Sequence, residues 1–311
     1  MAAATLVTPA HAEPGPVELV DALNGLFGRH AGARASHAKG FCAEGVFTPA
    51  PEARGLTSAP LLSAPSVPAR LRFSIGGGNP KAPDKSRSVR GMAVRLGSGG
   101  EAYDLVLISE PVFFASTPES FVSFLQARMP DPDTHKPDPH KIEAHNARFP
   151  EGKLQPGLLA AHPAPYSYAT TPYYSNHAFR FVASGGKASY ARIVATPVAG
   201  TRYLSEDEEK HLPDVFLEPE FIQRLGHGPV EFELQAQLAG PGDSLHNPAA
   251  PWSSGQRVPL GRLAVQRVSG LGCDADVFVP TRLPAGIEPS DDPVLHARAA
   301  AYQVSFARRT Q

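Results

Sequence analysis

Arg34-Ala-Ser-His37-Ala-Lys39-Gly40 runs directly into Phe41 through Pro49, between a short amphipathic segment and a long Pro- and Ser-rich connection. It sets one imidazole between two basic side chains, Arg34 and Lys39, and ends on a glycine, where the backbone has freedom to change direction. A histidine in such a place is by default a structural side chain. An imidazole with an unperturbed pKa of about 6.5 is also the side chain best suited to take a proton from one oxygen and return it to another. The segment before it, residues 16–28, reads as a helix with Val20, Leu23 and Phe27 on one face. Residues 49–69 carry Pro49, Pro51, Pro60, Pro65 and Pro68 and read as an irregular connection.

Beyond residue 70 strands dominate. Arg70-Leu-Arg-Phe-Ser74 alternates, with Leu71 and Phe73 on one side and charge on the other. Gly91–Leu96 and Ala102–Ile108, joined by Gly97-Ser-Gly-Gly100, read as a hairpin. Residues 111–116 look extended, Pro118 opens a helix to about Ala127, and Asp138-Pro139 caps another reaching Arg148. Residues 150–175 are predicted as one long loop with no charge between Lys153 and Arg180, and so as a segment lying against a core or a ligand. A second strand set covers 177–182, 187–196, 230–238 and 262–267. In Val230–Leu238 every second residue is apolar. Ser205-Glu-Asp-Glu-Glu starts a helix with acids in its first turn. A final helix over 291–307 is capped by Asp291 or Asp292. Strands with one apolar face, in two groups with helices inserted, predict an α+β fold: an antiparallel barrel with helices around it.

The bulk composition narrows the function classes. With a formal net charge of -1, the chain has no electrostatic case for nucleic acid or an anionic membrane as its main partner. High Pro (33) and Gly (28) with 19% charged residues suit a compact β-rich fold with ordered loops. No apolar run approaches the ~18–20 residues of a membrane span. Cys42 and Cys273 do not make a disulfide framework; free thiols in a reducing compartment are the expectation, with a single bridge left open. Residues 1–15 read as a disordered tail. Ala10-His11-Ala12 resembles a signal-peptidase site but lacks a basic residue before it, so a cytoplasmic protein is expected over a periplasmic one.

At the other end of the chain, Arg298 and Tyr302 are four apart on the last predicted helix and share a face. A free phenol has a pKa of about 10 and serves as an anionic ligand near neutral pH only beside strong positive charge, such as a guanidinium and a ferric ion. On spacing alone, a packed Tyr with an Arg stacked over it explains the pair as well. His135, His140 and His145 recur every five residues, a spacing that rotates each away from the last on a helix and makes no metal face. Gly76-Gly-Gly78 lacks the Lys-Ser/Thr of a phosphate loop and is read as a turn. Leu61-Leu62, Phe113-Phe114 and Tyr173-Tyr174 are read as packing, or as walls of a cofactor pocket.

Taken in order, these segments resemble the haem catalase superfamily over about residues 16–309. His37-Ala-Lys-Gly40 is similar to the family's distal histidine motif, with Arg34 in the place of a propionate-binding arginine. Arg72-Phe-Ser74 resembles the strand bearing a second propionate arginine and the distal serine. Arg87-Ser-Val-Arg90-Gly91 resembles an arginine-rich strand entry. Asp104 through Phe114 resembles the segment passing over the haem, Thr134-His135-Lys136 through Pro139 a family loop, and Asn176 through Phe181 and Val230–Leu238 two later barrel strands. Gly286 through Asp292 leads into Arg298 and Tyr302 as the proximal helix does, with Asp292 where the family pairs a carboxylate with that arginine.

The resemblance implies an eight-stranded catalase-like barrel with a haem pocket at one side, in a single domain over 16–311. It implies haem b with ferric iron, Tyr302 as the iron ligand, and His37 and Ser74 as the catalytic pair. Arg34, Arg72, Phe114, Arg298 and Tyr302 would bind the cofactor. The expected partners are a hydroperoxide and a small-molecule electron donor.

Two departures stand out. The chain is short and resembles the catalase-related peroxidases, so a homodimer or monomer is expected over an interlocked tetramer. Ile108 stands where the family has a distal asparagine, which makes the pocket more apolar. A peroxidase acting on organic hydroperoxides is therefore expected, with weak H2O2 dismutation. The alternatives are a fatty-acid hydroperoxide isomerase or dehydratase of allene oxide synthase type, a non-catalytic haem-binding protein, and a lipocalin-like carrier.

Overall fold

The computed structural model describes residues 12–311; Ala10 and His11 of the signal-peptidase-like Ala10-His11-Ala12, and most of the predicted tail, lie outside the described residues. The helices are α1 (Pro16–Phe27), α2 (Ala53–Leu56), α3 (Pro118–Gln126), α4 (Pro139–Arg148), α5 (Leu154–Ala160), α6 (Glu206–His211), α7 (Leu217–Leu225) and α8 (Pro293–Arg309). The strands are β1 (Gly40–Pro49), β2 (Val67–Ile75), β3 (Arg90–Leu96), β4 (Tyr103–Ile108), β5 (Tyr173–Tyr174), β6 (Phe179–Val182), β7 (Ala188–Pro197), β8 (Val230–Leu238), β9 (Arg257–Gly270) and β10 (Ile287–Pro289).

The strands form one antiparallel sheet in the order β10-β6-β7-β5-β4-β3-β2-β1-β9-β8, and the pairing of β7 with β8 closes it. The closed ring is the expected eight-stranded barrel, β1-β2-β3-β4-β5-β7-β8-β9, with β6 and β10 extending from β7. Closure leaves the ring without unpaired edges. The register of β9 shifts against β1 near Cys42 and Gly45 and against β8 near Leu234, which gives a 14-residue strand the bends it needs to span the ring.

Alternation sorts β2 as its sequence predicts. Leu71 and Phe73 point into the barrel, where Phe73 packs on Phe221, Tyr168 and Phe41 with ring centroids 4.8, 5.5 and 5.7 Å away. Arg72 and Ser74 point outward, into a cavity between the barrel wall and the helices α1, α3 and α8. These helices pack on one another through Leu19, Ala22, Val122 and Leu125.

Several expectations change. Residues 49–69 are less irregular than predicted: they hold α2 and a 3-10 turn, and β2 begins at Val67. Residues 111–116 form no strand; Phe113 N–H donates to Pro248 and the Gln155 side chain to Val112, so side chain and loop replace ladder partners. The uncharged 150–175 segment is not one loop but contains α5, β5 and two 3-10 turns, and it does lie inward. Ala164, Tyr168 and Tyr173 are core residues, and Gln155, Pro156 and Leu159 line the cavity. Cys42 and Cys273 are not free thiols. They are bonded across 231 residues of sequence, with Cα atoms 5.6 Å apart. Closing so long a loop in the unfolded chain stabilises by about 2–5 kcal/mol. Among the described residues no helix is long and apolar enough to cross a membrane.

The aromatic packing predicts a sharp contrast. Phe73→Ala, at a fully buried ring, is expected to lower the unfolding free energy by about 3–5 kcal/mol. Leu271→Ala, at a side chain 69% exposed, should change it by less than about 0.5 kcal/mol. Urea unfolding of both variants measures the difference.

Candidate active site

The turn between α1 and β1 carries His37, and its backbone is unusual: His37 has φ 54, in the left-handed region that most side chains avoid. Several contacts hold it there. Arg72 donates to the carbonyls of His37 (2.8 Å) and Ala38 (3.2 Å), and the Ala38 N–H donates to Gly77 (3.0 Å). Lys39 reaches the Ala82 carbonyl and the Asp84 carboxylate, both at 2.7 Å, and ties the turn to the loop before β3. Gly40 is pressed against β2; a Cβ there would lie 2.2 Å from the Phe73 carbonyl oxygen.

The imidazole of His37 lines the cavity with Nδ1 2.9 Å from Ser74 Oγ. Gly91, on the neighbouring strand, makes room for that pair, since a Cβ would sit 2.6 Å from Ser74 Oγ and 2.7 Å from His37 Nδ1. Burial, then the positive charges of Arg72, Arg298 and Arg34, lower the His37 pKa to about 3. The ring is therefore neutral. With Nδ1–H donating to Ser74, Nε2 is the nitrogen left to accept a proton.

Another part of the cavity wall comes from α8. Asp292 caps this helix, its Oδ1 accepting from the N–H groups of Val294 (2.9 Å) and Leu295 (3.2 Å). Its Oδ2 lies 2.6 Å from His177 Nδ1, and His177 Nε2 lies 2.8 Å from Arg298. Arg298 then donates from Nε (2.9 Å) and from a terminal nitrogen to the Tyr302 hydroxyl oxygen. Asp292 thus does not pair with Arg298 directly, as the resemblance implied; His177 stands between them. Because Arg298 donates to Nε2, the proton of His177 sits on Nδ1 and points at Asp292. Burial holds the His177 pKa below its ordinary value, which keeps that ring neutral too. Two guanidinium donors on one phenol oxygen stabilise negative charge there.

Both walls border one cavity of about 590 Å³. Phe113, Phe114, Phe121 and Phe124 line it, with Phe114 centroids 4.3 Å from Phe113 and from Phe124. Ile108 lines it from the end of β4 and offers no hydrogen-bond donor. At one rim three cations gather: Arg34, Arg72 and Arg309 all border the cavity. Burial and the charges of Arg72 and Arg309 lower the Arg34 pKa to about 9, against the opposing pull of Asp274. Arg72 Nε is buried with no hydrogen-bond partner.

All the residues singled out in the sequence, His37, Ser74, Arg34, Arg72, Phe114, Arg298 and Tyr302, border this cavity. Sequence reasoning missed His177, Arg309 and Asp274. His177 was visible only as part of a strand motif, and nothing local marks it as a bridge to a helix 115 positions later. His135 and His140 are exposed, whereas His145 is buried with Nδ1 2.9 Å from Ser123 Oγ.

The comparisons with known proteins bear on this geometry. The Catalase family model matches residues 17–224. The catalase-related peroxidase of Synechococcus elongatus is 37% identical over 301 residues, 95% of this chain and 89% of the relative. That of Mycolicibacterium paratuberculosis is 40% identical over 301 residues, 95% of each. Catalase A from Saccharomyces cerevisiae superposes with a TM-score of 0.79 at 21% identity, over 90% of this chain and 62% of that one, a likeness of fold alone. The match thus spans 62% of that solved catalase and 89% and 95% of the two catalase-related relatives. It belongs to the catalase family, in the catalase-related peroxidase branch.

Proposed function

We propose that the chain is a haem-dependent peroxidase that reduces organic hydroperoxides through a Tyr302-ligated ferric haem b, and dismutates H2O2 only weakly. Membership in the catalase-related branch makes it an oxidoreductase of the peroxidase kind. The observation that carries the finer reading is that one cavity is lined both by His37 with Ser74 and by Tyr302 with Arg298.

The chain's own residues fit a haem. The aromatic walls suit a flat apolar macrocycle. Arg34, Arg72 and Arg309, gathered at one rim, suit its propionates. Tyr302 supplies an oxygen whose charge Arg298 stabilises. A haem held there would supply the two electrons for breaking the peroxide bond, from iron and porphyrin together, and a small-molecule donor would restore them. His37 Nε2 takes the proton from the hydroperoxide oxygen and returns it to the departing oxygen, which then leaves as an alcohol or as water. Ser74 fixes the ring so that Nε2 faces the cavity. Ile108 contributes bulk but no donor, which favours an alkyl hydroperoxide over H2O2. The substrate, the donor and a homodimeric assembly are parts of the same proposal. The disulfide favours an oxidising compartment over the cytoplasm expected from the sequence, since cytosolic thiols are kept reduced.

The deciding experiment is turnover of H2O2 and cumene hydroperoxide by the purified holoprotein with a reducing dye present. Dye oxidation with the alkyl substrate, and oxygen evolution from H2O2 far below that of a full-length catalase, is the expected result. Oxygen release at catalase-like rates would reject the substrate assignment. An epoxide or ketol formed from a lipid hydroperoxide without dye consumption would favour an isomerase.

Ile108→Asn restores a donor at the distal wall. A hydrogen bond of ~1–3 kcal/mol corresponds to roughly one to two decades in rate, so the variant is expected to gain about that factor in oxygen evolution.

His37→Leu is expected to lose roughly 10²–10⁴ in kcat/KM with either hydroperoxide. In the wild type, a His37 pKa of about 3 keeps the base competent well below neutrality. The kcat/KM profile should therefore stay level from neutral pH down toward acid, with no midpoint near 6.5. Stability follows the opposite rule. The unfolded chain binds a proton at His37 below about pH 6.5 that the folded chain refuses, so stability is full above that pH and declines toward 3. A pH series of kcat/KM and of thermal midpoint checks both.

A further inference from the structure

The segment that follows β9 reaches the site from outside the cavity. Cys273 is bonded to Cys42 of β1, and Cys42 stands directly across from Arg72 in the β1–β2 ladder. Both half-cystines are fully buried, beside Phe278. The next residue, Asp274, accepts from Arg34 at 3.0 Å and lies 3.7 Å from Arg72 Nε. The carbonyls of Asp274 and Asp276 take the other terminal nitrogen of Arg34 at 3.4 and 3.1 Å. Arg34 and Arg72 border the cavity, whereas Asp274 does not; it stands behind the two guanidinium groups. Arg72 spends both terminal nitrogens on the carbonyls of His37 and Ala38. An unbroken path of short contacts therefore joins the disulfide to the left-handed turn of His37.

Three guanidinium groups so close together repel one another, and Asp274 is the carboxylate that faces two of them. Its main chain is anchored one residue away by a covalent bond to the strand beside Arg72, so it has little freedom to follow a retreating arginine. Removing its charge takes away the carboxylate that the protein itself sets against Arg72, and the donor that holds the left-handed turn is then held less firmly.

We propose that Asp274, anchored by the Cys42–Cys273 bond, is a positioning residue for the distal turn: it holds Arg34 and Arg72 in place, and Arg72 holds His37. The inference rests on the reading of His37 as the residue that moves the proton. Its test does not need that reading to be right. Amide hydrogen exchange of the purified full chain is compared for the wild type, Asp274→Asn, Asp274→Glu and the double variant Cys42→Ser/Cys273→Ser. In Asp274→Asn, residues 36–40 are expected to exchange at least about tenfold faster while β8 stays at the wild-type rate. Asp274→Glu is expected to restore them to within about twofold, and the double variant to loosen the same residues. In turnover, kcat for cumene hydroperoxide should fall with the loosening while KM holds.

Exchange at 36–40 unchanged in Asp274→Asn, or raised evenly over the whole barrel, overturns the proposal. A double variant identical to the wild type at 36–40 removes the disulfide from it. If the wild type turns over no hydroperoxide, the functional reading fails, and the exchange pattern still decides whether Asp274 positions the turn.

Discussion

One buried carboxylate organises the proximal wall. Asp292 is 1% exposed, and both of its oxygens accept hydrogen bonds, as a buried polar group requires. One oxygen caps α8 and sets where that helix begins. The other accepts the hydrogen bond of His177 Nδ1–H. The helix start then fixes the rotation of α8, and with it the direction of Arg298 and Tyr302, six and ten residues on. The histidine fixes Arg298 from its far side. The same atom group thus determines both where the phenol oxygen is and how it is polarised. Because the cap and the ladder share a residue, a shift in one cannot occur without a shift in the other.

The distal wall is held differently. No helix carries His37; a strained turn does, and the strain is met by donors from a neighbouring strand. Loops hold functional side chains well when the scaffold beneath them is rigid. Here that scaffold is the β1–β2–β3 ladder, packed so closely that Gly40 and Gly91 have no room for a Cβ. Proton transfer needs an oxygen placed within hydrogen-bond reach of Nε2, a tolerance of a few tenths of an ångström. A barrel wall supplies that rigidity, and the alternation of β2 supplies the two faces. Phe73 fills the core while Arg72 and Ser74, its neighbours on either side, serve the site.

Much of this was legible in the residues. Val230–Leu238 is a strand to the residue as expected, because its alternation is complete and both ends meet turns. The starts of α3 and α4 follow from Thr117-Pro118 and Asp138-Pro139, where a cap and a Pro coincide. What stayed hidden has a common cause: it depends on partners remote in sequence. Residues 111–116 are apolar enough for a strand but find a side chain and a loop instead of a ladder. The α5 helix over 154–160 contains Pro156 and Gly157, which argue against a helix locally; the cavity beneath Leu159 overrides them. The pairing of Cys42 with Cys273 needs β1 and β9 to be neighbours, and only the closed ring makes them so. His177 belongs to the same class, a residue whose meaning lies in a helix it meets far along the chain.

The two walls differ in what they leave open to change. On the proximal side, Asp292, His177, Arg298 and Tyr302 form a ladder in which each polar atom is spoken for, so a substitution strands a buried partner and costs the full desolvation of that group. On the distal side, position 108 is an outward-facing strand end whose side chain touches the cavity and is required by no hydrogen bond. An amide there would be smaller than the Ile108 side chain and would bring a donor, so the exchange alters both the room in the cavity and what its wall can donate. In the proposed reaction, a change at Ile108 would act on the hydroperoxide's side of the cavity and leave the Arg298 hydrogen bonds to the Tyr302 oxygen in place.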